Sequence, residues 1–150
     1  MKNVKQILEF CFCHEPDIIR AVNEKRMDTG VMTGGGGHCR ISDPTAQKAI
    51  TNMSDVSCVE VEYGPSVNGR RSVMVIRRPL QWLKVAHWTK DYYTGRPQGE
   101  LIRLKYNESW PKENIAKQLN ISQATYYVML TDVFTFANGL ATGMGLLGGK

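Results

Sequence analysis

The sequence predicts a mainly α-helical protein with N-terminal helices, a small β-hairpin and a C-terminal three-helix helix-turn-helix domain whose last helix is long. Three observations lead to this prediction. Apolar residues recur at three- and four-residue steps along most of the chain. The stretch from Lys112 to Thr131 places two such segments on either side of Leu-Asn-Ile-Ser. Apolar residues alternate from Val56 to Tyr63, with GPSVNGRR as a turn region and SVMVIRR behind it, which indicates a hairpin or an extended connector, with a buried helix over part of this region as the alternative.

The first half of the chain divides into helices and a linker. A helix is expected from Asn3 to His14, Pro16 restarts it, and Gly30 ends the second helix. Four consecutive glycines follow. They lack the Gly-Lys-Ser/Thr and the preceding strand of a phosphate loop, so they indicate a flexible linker. The expected segments are an N-terminal helical segment at 1–30, the Gly-rich linker at 31–41, a middle helical region with the possible hairpin at 42–97, and the helix-turn-helix domain at 98–150.

Two helix starts are expected in the middle region. Ser42 or Asp43 caps a helix that has Pro44 in its first turn. Pro79 is the first residue of another helix, LQWLKVAHWTKDYY, which ends before Gly95.

The C-terminal domain carries the local signals of a helix-turn-helix. Ser109 is expected to cap the first helix of the pair, and Ala116 allows the two helices to cross closely. Asn120 tolerates the left-handed conformation of the turn, Ile121 fills the corner, and Ser122 caps the second helix.

These positions predict a surface that reads DNA, with a dimerisation or protein-docking motif as the alternative. The residues expected to face the bases are Ser122, Gln123, Ala124, Thr125, Tyr127, Val128 and Thr131. Those expected to contact phosphates are Arg103, Lys105, Lys112 and Lys117, with a second patch formed by Arg70, Arg71, Arg77 and Arg78.

The last helix has an apolar stripe that runs beyond its proposed base-reading part. The stripe either packs on the N-terminal helices or forms a homodimer, in which Gly139 and Gly143 would permit close contact. Its members are Tyr126, Met129, Val133, Phe136, Leu140, Met144 and Leu147.

Charge is unevenly distributed along the chain. Residues 1–69 hold seven Lys/Arg and nine Asp/Glu, a net charge of −2, whereas residues 70–150 hold twelve and five, a net charge of +7. The basic half favours a polyanionic partner. No apolar run is long enough to span a membrane and no secretory signal is seen, so we expect cytoplasmic, reduced thiols.

The chemistry-bearing residues predict neither an enzyme nor a cofactor. No Ser/His/Asp or Cys/His set stands out, so no catalytic residue is assigned. Residue types that can bind zinc occur at Cys11, Cys13 and His14, and again at His38 and Cys39. Their spacing is not that of a structural zinc site, and free thiols are expected instead.

The sequence resembles small phage and prophage late-gene transcription regulators of the RinA and ArpU types, and more distantly the Q-type antiterminators. The resemblance runs from Ile41 onwards and is strongest over Trp110–Leu147. It rests on SDPTAQKAI after the Gly-rich stretch, LQWLKVAHWTKDYY, SWPKENIAKQLNISQATYYVML and ANGLATGMGLL. It implies a helix-turn-helix similar to the promoter-reading region of sigma factors (sigma region 4). It also implies double-stranded DNA and bacterial RNA polymerase as partners in a bacterial cytoplasm.

Two functions are therefore expected from different classes. The first is a sequence-specific DNA-binding transcription regulator, either an activator or an antiterminator. The alternative is a phage DNA-packaging or assembly component, such as a small terminase-like subunit that uses the same motif in a ring.

Overall fold

The computed structural model describes residues 4–31 and 56–147 of the chain. Within them the protein is mainly helical with one antiparallel hairpin and a long C-terminal helix, which confirms the predicted fold class. The predicted helix that begins near Ser42, and the linker beyond residue 31, lie outside the described residues. The elements in chain order are α1 (Val4–Cys13), α2 (Glu15–Val31), β1 (Cys58–Val67), β2 (Arg70–Arg77), α3 (Pro79–Tyr93), α4 (Pro97–Ile102), a π-helical turn (Arg103–Asn107), α5 (Lys112–Gln118) and α6 (Gln123–Gly143).

The chain forms two compact units, which we call the helical unit and the hairpin unit. The helical unit comprises Met1–Glu15 and Gln81–Lys150, and the hairpin unit comprises Pro16–Leu80. This grouping differs from the consecutive segments expected from the sequence, with boundaries at 30, 41 and 97. The reason is that the apolar face of α1 packs against the π-helical turn and α6, which are far away in sequence.

Helix α1 is attached to the C-terminal helices by buried and polar contacts. Leu8 is fully buried, and the rings of Phe12 and Tyr106 lie 5.1 Å apart between centroids. The Tyr106 hydroxyl donates a hydrogen bond to Glu9 Oε1 at 3.2 Å. Burial raises the pKa of Tyr106, and the nearby Glu9 carboxylate raises it further. The phenol therefore stays protonated and remains a hydrogen-bond donor between α1 and the π-helical turn.

The predicted hairpin is present in the hairpin unit. Its two strands join through Asn68 and Gly69, whose φ angles of +52° and +73° match the two left-handed positions of a tight hairpin turn. One face of the hairpin is buried in alternation with exposed residues, as the sequence pattern predicts. The buried residues form the cross-strand pairs Val59–Ile76 and Val61–Met74.

Helix α6 buries a stripe that drifts away from the predicted one. Tyr126, Met129 and Val133 are buried as expected, but the stripe then continues through Ala137 and Ala141. The predicted stripe kept a repeat close to seven residues, and a straight helix with 3.6 residues per turn drifts by roughly 20° per heptad from such a repeat. The stripe side of α6 packs on α1, α4 and α5 of the same chain.

A close backbone approach fixes the connection between α3 and α4. Helix α3 begins at Pro79 as predicted, and Gly95 turns the chain after its end with a φ of +77°. A Cβ atom on Gly99 would lie 2.2 Å from the carbonyl oxygen of Tyr93, so only glycine fits there without a backbone shift. The direction of α4 after α3 therefore requires glycine at position 99, because a side-chain methyl group there would overlap the backbone.

We expect Gly99→Ala to lower the free energy of unfolding by about 1–3 kcal/mol, because the new methyl group overlaps backbone that cannot rotate away. Urea denaturation followed by circular dichroism measures this. Gly139→Ala is the matched control, because Gly139 is also helical and an added Cβ there meets nothing within 4 Å. The control should be neutral or gain up to about 1 kcal/mol. Equal stability of both variants would contradict the close approach.

Candidate nucleic-acid interface

A buried cluster holds the predicted helix-turn-helix together. Ile115 on α5 and Leu104 on the π-helical turn are almost completely buried against residues of α6. Ala116 is also buried, consistent with its predicted position at a close helix crossing. The full cluster consists of Leu101, Leu104, Ile115, Tyr126, Met129 and Leu130, with Leu119, Ile121 and Phe134 packed at its edge.

The turn between α5 and α6 has the predicted conformation. Asn120 adopts a φ of +53°, and its amide donates to the carbonyl of Lys117 at 3.1 Å. The Ile121 amide donates to the carbonyl of Ala116 at 2.9 Å, which closes the end of α5. The Ser122 side chain accepts a hydrogen bond from the Thr125 amide at 3.1 Å, so Ser122 caps α6 as predicted.

The start of α5 differs from the prediction. Ser109 does not cap the helix: it has a φ of +55°, and α5 begins later, at Lys112. The Trp110 amide donates to the Leu104 carbonyl at 2.9 Å and thereby keeps this stretch at the end of the π-helical turn. The carbonyl of Pro111 instead accepts the first bonds of α5.

The structure brings together all seven residues that were expected to face the bases. Each of them is exposed, and they occupy the cap and the first half of α6. Several of their hydroxyl groups already have partners. The Ser122 and Thr125 hydroxyls lie 2.9 Å apart, and the Thr131 hydroxyl donates to the carbonyl of Tyr127 at 2.8 Å. Gln123 has both hydrogen-bonding groups of an amide at the exposed start of the helix.

Lys112 joins the two helices of the motif at the surface. Its Nζ donates to the Tyr127 hydroxyl at 3.2 Å and lies 5.8 Å from the centre of that ring. The hydrogen bond to Tyr127 raises the pKa of Lys112, so its ammonium group is charged at neutral pH. Lys117 is exposed in the last turn of α5, where a cation also suits the helix dipole. These two lysines place positive charge beside the start of α6.

The other predicted phosphate contacts of the helical unit are placed less favourably. The Arg103 guanidinium contacts the carboxylates of both Glu100 and Glu108. Its hydrogen bonds lower the pKa of Glu100, so this carboxylate stays ionised. Two negative charges beside one cation leave no net positive charge to offer a phosphate. Lys105 is half-buried, with its Nζ 5.3 Å from the centre of the Tyr106 ring.

The four hairpin arginines do not form the single patch that was predicted. Arg70 and Arg71 lie next to the turn, whereas Arg77 pairs with Cys58 at the opposite end of the hairpin and Arg78 follows it. Arg77 is six residue steps along the strand from Arg71, a distance of about 20 Å. An extended strand spreads residues that are close in sequence, so the four guanidinium groups cannot act as one cluster.

Sequence reasoning did not find an open cleft of about 610 Å³ at the junction of α3 and α4. Its charged lining residues come from α3, from α4 and from the residues that flank α4, so no single sequence motif predicts the cleft. Lys90 lies 3.6 Å from Glu15, and Arg96 lies over the Tyr92 ring at 4.6 Å from its centre. The cations of this cleft are thus engaged by neighbouring groups. The polar lining residues include Lys90, Thr94, Arg96, Glu100, Arg103 and Asn107.

The Cys11 thiol lies in surroundings that suppress its reactivity. Burial, followed by the negative charge of Glu15, raises the pKa of Cys11 to about 12, so this thiol is protonated and inert at neutral pH. Within 4–31 and 56–147, no three His, Cys, Asp or Glu side chains are grouped so that they could hold a metal ion. His38 and Cys39 lie outside the described residues.

Among the helices of the described residues, none combines the length and the apolar character needed to cross a membrane.

Comparisons of the chain with protein-family models, with curated proteins and with solved structures find no match.

The turn geometry gives a stability test. We expect Asn120→Ala to lower the free energy of unfolding by about 1 kcal/mol, because alanine disfavours positive φ. Asn120→Gly should be as stable as the natural chain, because glycine adopts this conformation freely. Urea denaturation of the two variants measures the difference. An alanine variant more stable than the glycine variant would contradict the left-handed turn.

Proposed function

We propose that this protein is a sequence-specific DNA-binding regulator of transcription that inserts the first half of α6 into the major groove. The supporting observation is the exposed start of α6, which a capped, left-handed turn and a buried cluster hold against α5. Helix-turn-helix proteins contact base edges with the N-terminal residues of their second helix. All seven residues at these positions are exposed and uncharged.

The biological setting of the proposal comes from the resemblance to late-gene regulators of phages and prophages. Activation or antitermination with bacterial RNA polymerase in a bacterial cytoplasm is the role that this resemblance suggests. The net charge of +7 in residues 70–150 supports a polyanionic partner. Lys112 and Lys117 supply this charge next to α6, where phosphates would flank an inserted helix.

A selection experiment tests the proposal directly. The full chain is incubated with a pool of random-sequence DNA duplexes, and bound molecules are recovered and sequenced over several rounds. We expect one enriched sequence, which then binds in a mobility-shift assay. Sedimentation of the free chain separates the proposal from a packaging role, because a large ring would favour packaging. A pool without enrichment would overturn the proposal.

The salt dependence of binding should identify the phosphate contacts. Each neutralised phosphate contributes roughly −0.9 to the slope of log affinity against log salt concentration. We therefore expect the double variant Lys112→Gln/Lys117→Gln to make this slope shallower by about 2. Lys84→Gln removes a positive charge from the exposed side of α3 and serves as the control. If the double variant and the control have the same slope, these lysines do not contact phosphates.

Gln123 should discriminate one base pair. A glutamine amide pairs with the N6 and N7 atoms of adenine, and such a contact provides about 1–3 kcal/mol of discrimination. We expect Gln123→Ala to lose this preference at one position of the selected site while its affinity for random DNA is unchanged. Gln118→Ala is the matched control, because Gln118 is an exposed glutamine on α5. Its variant should keep the complete sequence preference.

Ile115→Asp provides the opposite control for these binding assays. Ile115 is fully buried between the two helices, and an unpaired charge there should unfold the motif. Specific and non-specific binding should then be lost together. Retention of specific binding after simultaneous replacement of Gln123, Thr125 and Tyr127 would show that these three residues do not read the bases.

A further inference from the structure

The exposed face of α6 contains no basic residue. From Gln123 to Gly143 the only charged residue is Asp132. Arginine and lysine make the commonest specific contact of DNA-binding helices, a paired contact to the O6 and N7 atoms of guanine. Helix α6 lacks both residues, so it has no side chain for that contact. Any discrimination between base pairs by α6 must therefore use neutral polar groups or apolar contacts.

The outward side of the same segment also carries apolar surface. Ala124 and Val128 lie one helical turn apart and are both exposed, and Val128 has 59% of its surface accessible. Thr131 continues this row by three residues, and its hydroxyl is occupied by the Tyr127 carbonyl. The three residues therefore form a short row, which we call the methyl row. None of its members belongs to the buried cluster that holds α6 in place.

We infer that the methyl row recognises thymine, so that the DNA site of this protein contains A·T base pairs whose thymine methyl groups contact Ala124, Val128 and Thr131. This inference rests on the proposed function. The C5-methyl group of thymine is the apolar feature that base pairs present in the major groove, and small apolar side chains contact it. Gln123, at the start of the same helix, carries the amide suited to adenine.

The geometry limits the spacing of the thymines. Side chains four residues apart on a helix have Cβ atoms about 6 Å apart, and successive bases along one strand are separated by about 3.4 Å. The contacts of Ala124 and Val128 should therefore fall on bases about two steps apart. DNA is favoured over a protein as the occupant of this face because the adjoining helix has an excess of positive charge, with Lys112 and Lys117 against the single carboxylate of Glu113.

Replacing thymine by uracil tests the inference on the selected duplex. Uracil keeps every hydrogen-bonding group of thymine and loses only the methyl group. Each thymine is replaced singly, and the affinity of the full chain is measured by fluorescence anisotropy. Burying one methyl group corresponds to about a fourfold change in affinity. We expect this loss at two or three positions of the site and no change at the remaining thymines.

A variant assigns the contact to its residue. In Val128→Ala the affinities for thymine and uracil should become equal at one of the sensitive positions, while the other positions keep their fourfold difference. Val73→Ala is the matched control, because Val73 is an exposed valine of the hairpin unit. It should keep all the differences. Circular dichroism verifies that both variants are folded.

The outcomes separate this inference from the proposed function. Sequence-specific binding without any effect of uracil overturns the inference and leaves the proposed function intact. A pool that yields no specific sequence overturns both. If Val128→Ala instead shifts the chain from a dimer to a monomer in sedimentation and leaves the uracil effect unchanged, the methyl row is a protein interface and the inference is wrong.

Discussion

The arrangement of the helical unit depends on the burial of one side of α6. Helices α1, α4 and α5 all pack against it, and Val133, Ala137 and Ala141 on this side have no accessible surface. The small alanines allow neighbouring elements to approach the second half of the helix, whereas Tyr126 and Met129 fill the wider space beside α5. Because a helix has a fixed period, burying this side also fixes which residues face outward. The candidate interface is thus a geometric consequence of the core.

The turn before α6 determines the residue at which the helix begins. The left-handed Asn120 and the cap formed by Ser122 define where α6 begins, so its exposed residues have a fixed register. A shift of one residue would rotate the helix by about 100° and place Tyr127 where Tyr126 is buried. Lys112 then spans the turn to reach the Tyr127 hydroxyl, which connects the two helices of the motif.

Features with a local cause were predictable from the sequence. The φ of Asn120, the cap at Ser122 and the helix start at Pro79 follow from the conformational preferences of single residues. The hairpin followed from a two-residue alternation. The expected positions of the base-facing residues on α6 followed in the same way, because they depend only on the helix start and the helical period.

Features that depend on the exact path of the backbone, or on packing between residues far apart in sequence, were not predictable. The ion pairs of Arg103 come from a π-helical turn that no sequence pattern indicated, and the delayed start of α5 depends on a bond from Trp110 to Leu104. The separation of the hairpin arginines became evident only with the strand register. The inclusion of α1 in the helical unit reflects packing between residues about a hundred positions apart, such as Glu9 and Tyr106.

The distribution of charge explains how such a motif would obtain its DNA affinity and its sequence specificity from different residues. Phosphate contacts supply most of the non-specific affinity of DNA-binding proteins, and each requires a free cation. Here Arg103 is occupied by two carboxylates, so the motif offers Lys112 and Lys117, with Lys105 half-buried nearby. Three phosphate contacts give a salt slope of only about −3, far less than proteins that make six to ten of them. Random DNA would compete weakly for this motif, and stable occupancy of a site would depend mainly on base contacts. A partner that also binds the DNA would strengthen this occupancy, and in the proposed function RNA polymerase at a promoter would be that partner.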